Sequence, residues 1–244
     1  PEGPVASVVA LADKFDTLAG LFSIGEQPTG DKDPFGLRRS ALGVVRILVE
    51  NQLSLSTWDL VNAAFESFKN KAQTDLRMFL IERMRSYFQE CGYTANEVEA
   101  VLSLNPAEIN PIPKQLEAVR AFASMPEADS LAAANKRVAN ILKQAAAKGE
   151  SFGKVDRKEF KEPAEVSLFD ALEKTSGKAK KLFESGDYVS YLKTFAVLKV
   201  PVDVFFDKVM VMVEQESLRK NRLALLSELR EAMNRVADIS KLAT

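Results

Sequence analysis

Apolar residues recur every three or four positions through almost all of this chain, and no convincing apolar–polar alternation interrupts them. That restricts it to packed helices, so the expected fold class is all-α. The clearest case is 76–91, where Leu76, Phe79, Leu80, Met84, Tyr87 and Phe88 trace one stripe that Gly92 closes at the C-cap position. Spacing and capping residues predict further helices over 4–24, 37–50, 53–68, 114–124 and 127–148. Ser56 is an N-cap with Asp59 three residues on, close to a capping box, and Thr94 caps a short helix. Four more helices follow from Ala164, broken at Ser185-Gly186, at 199–201 and near Glu214. The one β-like run, 209–213, reads as buried helix, because apolar residues at 202, 205, 206, 209 and 213 keep helical spacing. Three prolines make 105–113 a rigid connector, and the charged, glycine-punctuated 149–163 reads as a linker.

Residue inventory removes several chemistries. The chain has no histidine, which excludes Ser-His-Asp and Cys-His pairs and any histidine metal site. No glycine-rich phosphate-binding motif occurs, so hydrolase, dehydrogenase and kinase readings of the chain alone fail. Its one cysteine, Cys91, excludes an internal disulfide and fits a reducing cytoplasm; with no histidine to activate it, it reads as a small apolar filler before Gly92. No apolar run approaches the roughly 18 residues a bilayer span needs, so no membrane partner is expected. The opening PEGPVASVVALADKF lacks the basic region of a signal peptide and a starting methionine, and reads as the start of a piece of a longer protein.

The net charge of −1 and pI near 5.9 conceal an uneven distribution. Residues 1–130 hold 12 Lys and Arg against 18 Asp and Glu, a net −6, while 131–244 hold 21 against 16, a net +5. The basic half suits a polyanion and the acidic half a protein neighbour. Within 131–148, Val138, Ile141, Leu142 and Ala145 share one helical face. Lys136, Asn140 and Lys143 stack on the opposite one, with Arg137 and Gln144 at its edges. Lysine and arginine neutralise phosphates, and amides pair with unstacked base edges, although a solvated face has the same pattern. Lys174, Lys178, Lys180 and Lys181 form a second patch, read as a solubilising surface with general phosphate attraction. In the last helix Arg222 projects among Leu218, Leu225, Leu229, Ala232 and Val236. A guanidinium there needs a partner or an interface, and Asp203 and Asp207 on the preceding helix are the expected structural ion pair. Arg219, Arg230 and Arg235 point elsewhere and are expected to be available for RNA. Most aromatics fall at core spacing, with Tyr188 and Tyr191 the exceptions that could stack on bases.

Three stretches carry a resemblance. LADKFDTLAGLFSIGEQPTGDKDPFGLRRSALGVVRIL (11–48), AAANKRVANIL (132–142) and PVDVFFDKVMVMVEQESLRKNRLALLSELREAMNRVADIS (201–240) lie in order over nearly the whole chain. Together they resemble the C-terminal portion of the beta subunit of the bacterial heterotetrameric glycyl-tRNA synthetase. One departure is Gly36, where the family more often has alanine, which loosens the start of its helix. The resemblance implies two helical subdomains: 1–130, like the end of an HD-type domain plus connecting helices, and 131–244, a DALR-type anticodon-binding bundle. Asp13 looks like the last aspartate of the HD motif; without histidines a metal site there is at most half present, so Asp13 and Asp16 read as structural or solvated. The resemblance assigns Lys136, Arg137, Asn140 and Lys143 to tRNA binding, with Arg219, Arg230 and Arg235 beside them. The implied partners are glycine tRNA, the alpha subunit and the rest of the beta subunit, not DNA. ATP and magnesium would act at the alpha subunit, so this part should hold no cofactor and should not aminoacylate alone. The rival reading is a helical-repeat scaffold that binds proteins, suggested by SGDYVSYLKTFAVLKVPVDVFFDKV, although no repeat period recurs elsewhere.

Overall fold

Asp33 shows how local chemistry sets the helix starts. In this computed structural model, which describes residues 1–243, its carboxylate accepts from the backbone N–H of Leu37 at 2.8 Å and of Arg38 at 2.9 Å. It thereby satisfies two orphan donors of α2 (Leu37–Glu50). Gly36, between them, sits at φ 66°, a left-handed conformation that glycine adopts freely, so it suits this start rather than loosening it. Ser56 Oγ accepts from Asp59 N at the start of α3 (Thr57–Ala64). Thr94 and Glu97 form a reciprocal capping box on α5 (Ala95–Leu102).

The chain divides into two compact units: Pro1–Val98 with Asn105–Pro113, and Glu99–Leu104 with Lys114–Thr244. The first contains α1 (Pro4–Ser23), α2, α3 and α4 (Gln73–Glu90). Leu11, Phe15, Leu18 and Phe22 of α1 are buried, as are Leu76, Leu80, Met84 and Phe88 of α4. The two helices meet where the Phe22 and Phe79 rings lie 5.3 Å apart. The second unit takes up α6 (Ile112–Ala123) from Lys114 onward, then α7 (Ala128–Ala147), α8 (Pro163–Glu184) and α9 (Tyr188–Thr194). It ends with α10 (Lys199–Lys208), α11 (Glu216–Met233) and a 3₁₀ turn at Ile239–Leu242. α11 is its central element: every residue from 221 to 226 is buried, and the helix packs on α7 and α8. Among the described residues there is no strand and no helix long and apolar enough to cross a membrane.

Two expectations from periodicity are corrected. Residues 209–213 are not helix but an irregular run: Val209 and Val211 are 5% and 6% exposed, whereas Met210 and Met212 are 72% and 40% exposed. The segment leaves α10 extended, with Val209 at φ −113° and ψ 118°, so the side chains alternate between core and solvent. Nor is 149–163 a free linker. The side chain of Asn221 on α11 accepts from Asp156 N and donates to Asp156 O, while Glu228 accepts from Val155 N. In the first unit, Cys91 is exposed at the end of α4 rather than filling a core gap.

Candidate nucleic-acid interface

α7 is sharply two-faced. Leu131, Ala132, Asn135, Val138, Leu142 and Ala145 are buried, whereas Lys136, Arg137, Asn140 and Lys143 are exposed. The buried side is held partly by polar pairing, for the amides of Asn135 and Asn234 exchange hydrogen bonds at 2.8 and 3.0 Å. On the open side, the Arg137 guanidinium lies 4.2 Å from the centre of the Phe206 ring, a cation–π contact that orients it along the surface.

The four arginines of the last stretch, three on α11 and Arg235 just beyond its end, divide into two pairs. Arg219 is not available to a ligand: it pairs with Glu150 at 2.7 Å and donates to the carbonyls of Val213 and Glu214, leaving its side chain 19% exposed. Arg222 is ion-paired, but with neither expected aspartate. Its Nε meets Glu165 Oε1 at 2.9 Å, its Nη2 meets Oε2 at 3.3 Å, and its Nη1 donates to Met210 O at 2.7 Å. Glu165 wins because α8 begins beside it and leaves its side chain 0% exposed, against 41% for Asp203. Asp203 instead pairs with Lys199 and accepts from Ser130, and Asp207 is exposed. Burial pushes the Glu165 carboxyl up, but Arg222 and the N–H groups of Glu162 and Lys161 overcome this and hold it below the usual carboxylate range.

Arg230 and Arg235 line a cleft of about 880 Å³, together with Leu142, Lys180, Glu228 and Glu231. The Arg235 guanidinium lies 3.9 Å from the centre of the Phe183 ring. Arg230 sits 3.7 Å from Asp238, and its Nε is buried with no acceptor in the protein. Tyr191 also lines the cleft but is no stacking platform. It is 2% exposed, wedged edgewise between Phe183 and Phe195, and its hydroxyl donates to Ala232 O. Burial pushes its phenol up to about 12. Tyr188 is half-buried beside Phe183. The lysine patch of α8 splits: Lys180 faces the cleft, whereas Lys174 and Lys178 border a separate groove of about 720 Å³ with Lys193. Sequence reasoning missed Lys193, Phe183 and Glu231 as members of these surfaces; only the fold of α9 and α11 onto α8 brings them in.

Residues 1–103 match the family described as glycyl-tRNA synthetase beta subunit, and residues 131–241 match the DALR anticodon binding domain. A glycine–tRNA ligase beta subunit of Thiobacillus denitrificans is 56% identical over 247 residues, covering 100% of this chain and 35% of the relative. The chain belongs to the glycyl-tRNA synthetase beta subunit family. Others, from Janthinobacterium sp. and Paracidovorax citrulli, are 50% and 51% identical over 246 residues, again across the full chain. The chain spans about a third of the length of these curated relatives, aligned with their C-terminal part. Within the family match over 131–241 fall the exposed ridge of α7, the lysine groove and all of the cleft's lining except Leu104. The other match contains Asp13 and Asp16, both exposed on α1; among the described residues no three His, Cys, Asp or Glu side chains group to hold a metal.

Proposed function

We propose that this chain is the tRNA-binding part of a glycine–tRNA ligase, and that its basic half, 131–244, holds the anticodon arm of glycine tRNA. The observation that carries this is the match of 131–241 to an anticodon binding domain, on a unit whose exposed face presents Lys136, Arg137, Asn140 and Lys143. Arg230 and Arg235 join this surface; Arg219, tied to Glu150, does not. The contribution to catalysis is positional: docking the arm delivers the acceptor end to a distant active site. In this reading the alpha subunit binds glycine, ATP and magnesium, this part does not aminoacylate alone, and the assembly works in the cytoplasm. Residues 1–130 lean on the alpha subunit or the rest of the beta subunit.

The test is binding of the complete beta subunit, with its alpha partner, to a glycine tRNA transcript at two salt concentrations, beside the same transcript with its anticodon replaced. Salt-sensitive binding that weakens on the replacement supports the reading, because counterion release accompanies phosphate contacts. Equal, salt-insensitive binding overturns it. A second reading, a protein-docking scaffold, draws on the exposed Val197, in the turn before α10, with Val200 and Val204 on α10, and predicts no dependence on the anticodon.

A further inference from the structure

The groove bordered by α8 and α9 joins two kinds of surface. Its rim carries Lys174, Lys178 and Lys193, and among the described residues none of the three forms an ion pair. Its floor has no hydroxyl hydrogen left to give. The Thr175 hydroxyl donates to Ala171 O and the Thr194 hydroxyl to Ser190 O, both at 2.7 Å, while the Ser190 hydroxyl donates to the Asp187 carboxylate. At one end the groove reaches Val197, which is 65% exposed. Val200 and Val204 follow at helical spacing, 65% and 40% exposed, so the groove runs on as an aliphatic stripe along α10. Beside that stripe Lys199 and Asp203 neutralise one another at 2.8 Å.

We propose that this groove and stripe dock one amphipathic helix of a protein partner, aliphatic on the face it buries and acidic where it meets the three lysines. The lysines alone would suit phosphate equally well. The valines decide against it, because an RNA backbone gains nothing from an aliphatic stripe. A floor without aromatic rings or free hydroxyl donors also gives bases nothing to stack on and ribose little to bond. A helix fits better than an extended peptide because both walls are helices, with no strand edge to extend. An extended segment there would bury N–H and C=O groups without partners. A helix brings those groups already paired and lays side chains into the groove at every third or fourth position, the spacing that the valines themselves show. The volume, about 720 Å³, admits several such side chains. Carboxylates on the partner complete the match by meeting cations that this chain leaves unpaired. The proposal stands apart from the tRNA reading and does not need it.

The test uses the alpha–beta complex and two fluorescent peptides, stapled to stay helical, with leucine at every third or fourth position. Glutamates flank the leucines in one peptide and lysines in the other. In anisotropy titrations the glutamate peptide should bind roughly 10-fold more tightly than the lysine peptide. Val197→Ser with Val200→Ser, a change without charge, should weaken the glutamate peptide by roughly 10-fold and leave the affinity for glycine tRNA unchanged. Lys174→Glu with Lys178→Glu should reverse the order of the two peptides, with circular dichroism confirming that each variant is folded. The proposal is overturned if neither peptide binds saturably, or if the serine pair leaves the glutamate peptide unaffected. An oligouridylate that binds through Lys174 and Lys178, ignores the serine pair and finds no competition from the glutamate peptide would assign the groove to a phosphate backbone instead. Loss of self-association of the complex in the serine pair, read by sedimentation, would assign the stripe to a second copy and overturn the foreign partner.

Discussion

At the scale of single residues, Arg222 and Glu165 carry the largest energetic stake. Two fully desolvated charges 2.9 Å apart gain little over an apolar pair, but removing one strands the other. Arg222→Ala is expected to destabilise the second unit by ~3–5 kcal/mol, read from chemical denaturation. An unchanged midpoint would mean that Glu165 finds water or another donor. The pair also sets an acid limit. Because the Glu165 carboxyl is held below its unfolded value, its contribution is present above roughly pH 4.5 and is lost as pH falls through the folded value. The acid limb of the melting curve should therefore be shallower in Glu165→Gln than in the parent, once both are compared relative to their own neutral-pH midpoints. Tyr191 works from the other side. Its phenol, raised to about 12, supports the fold below about pH 10, and that support fades as pH climbs toward 12. In an ultraviolet phenolate titration of the folded protein, Tyr191→Phe should remove the last tyrosine to ionise; loss of an earlier phase instead would show that Tyr191 is open to solvent.

At the scale of elements, the run 209–213 separates what patterning can reveal from what it cannot. Five consecutive apolar residues satisfy periods of both 3.6 and 2, so spacing alone could not decide between helix and extended chain. The fold decides through α11, whose Arg219 and Arg222 donate to the carbonyls of Val213, Glu214 and Met210, groups that a helix would tie up internally. Val211→Asp should cost on the order of 3 kcal/mol, while Met210→Lys should stay within about 0.5 kcal/mol in thermal melts. Equal effects would return the segment to helix. The helices themselves were legible, because Ser56, Thr94 and Gly92 act within one turn of where they stand in sequence. The ridge of α7 was legible for the same reason: its two faces follow from spacing along one helix. Partners across elements were not. Periodicity says that Arg222 faces the core, but the carboxylate opposite it lies 57 residues away on α8. Arg219 illustrates the same limit, since Glu150 reaches it from a segment without any period of its own.

At the scale of the whole molecule, charge is partitioned: net −6 over 1–130 and net +5 over 131–244. A polyanion feels this division as a field, but affinity comes from the few cations that displace counterions. The arrangement separates two roles that a single affinity measurement would merge. Lys136 and Lys143 carry no amide or carboxylate and stand exposed on α7, so they can neutralise phosphates without reading bases. Their joint replacement, Lys136→Ala with Lys143→Ala, should weaken every tRNA alike and reduce the slope of log affinity against log salt by about 2, one for each lost phosphate contact. The preference for the glycine anticodon should survive, because nothing in the cleft has changed. Reversal of charge, Lys136→Glu with Arg137→Glu, should go further and abolish binding in a protein whose helix content and melting temperature remain near the parent's. Arg137 leaves Phe206 in that variant, so a modest loss of stability is expected from the missing cation–π contact, about 0.5–1 kcal/mol. If the alanine pair lowers affinity while the salt slope stays fixed, the two lysines act through the fold of α7 rather than on phosphate. The polyanion surface would then have to be sought in the groove of Lys174, Lys178 and Lys193.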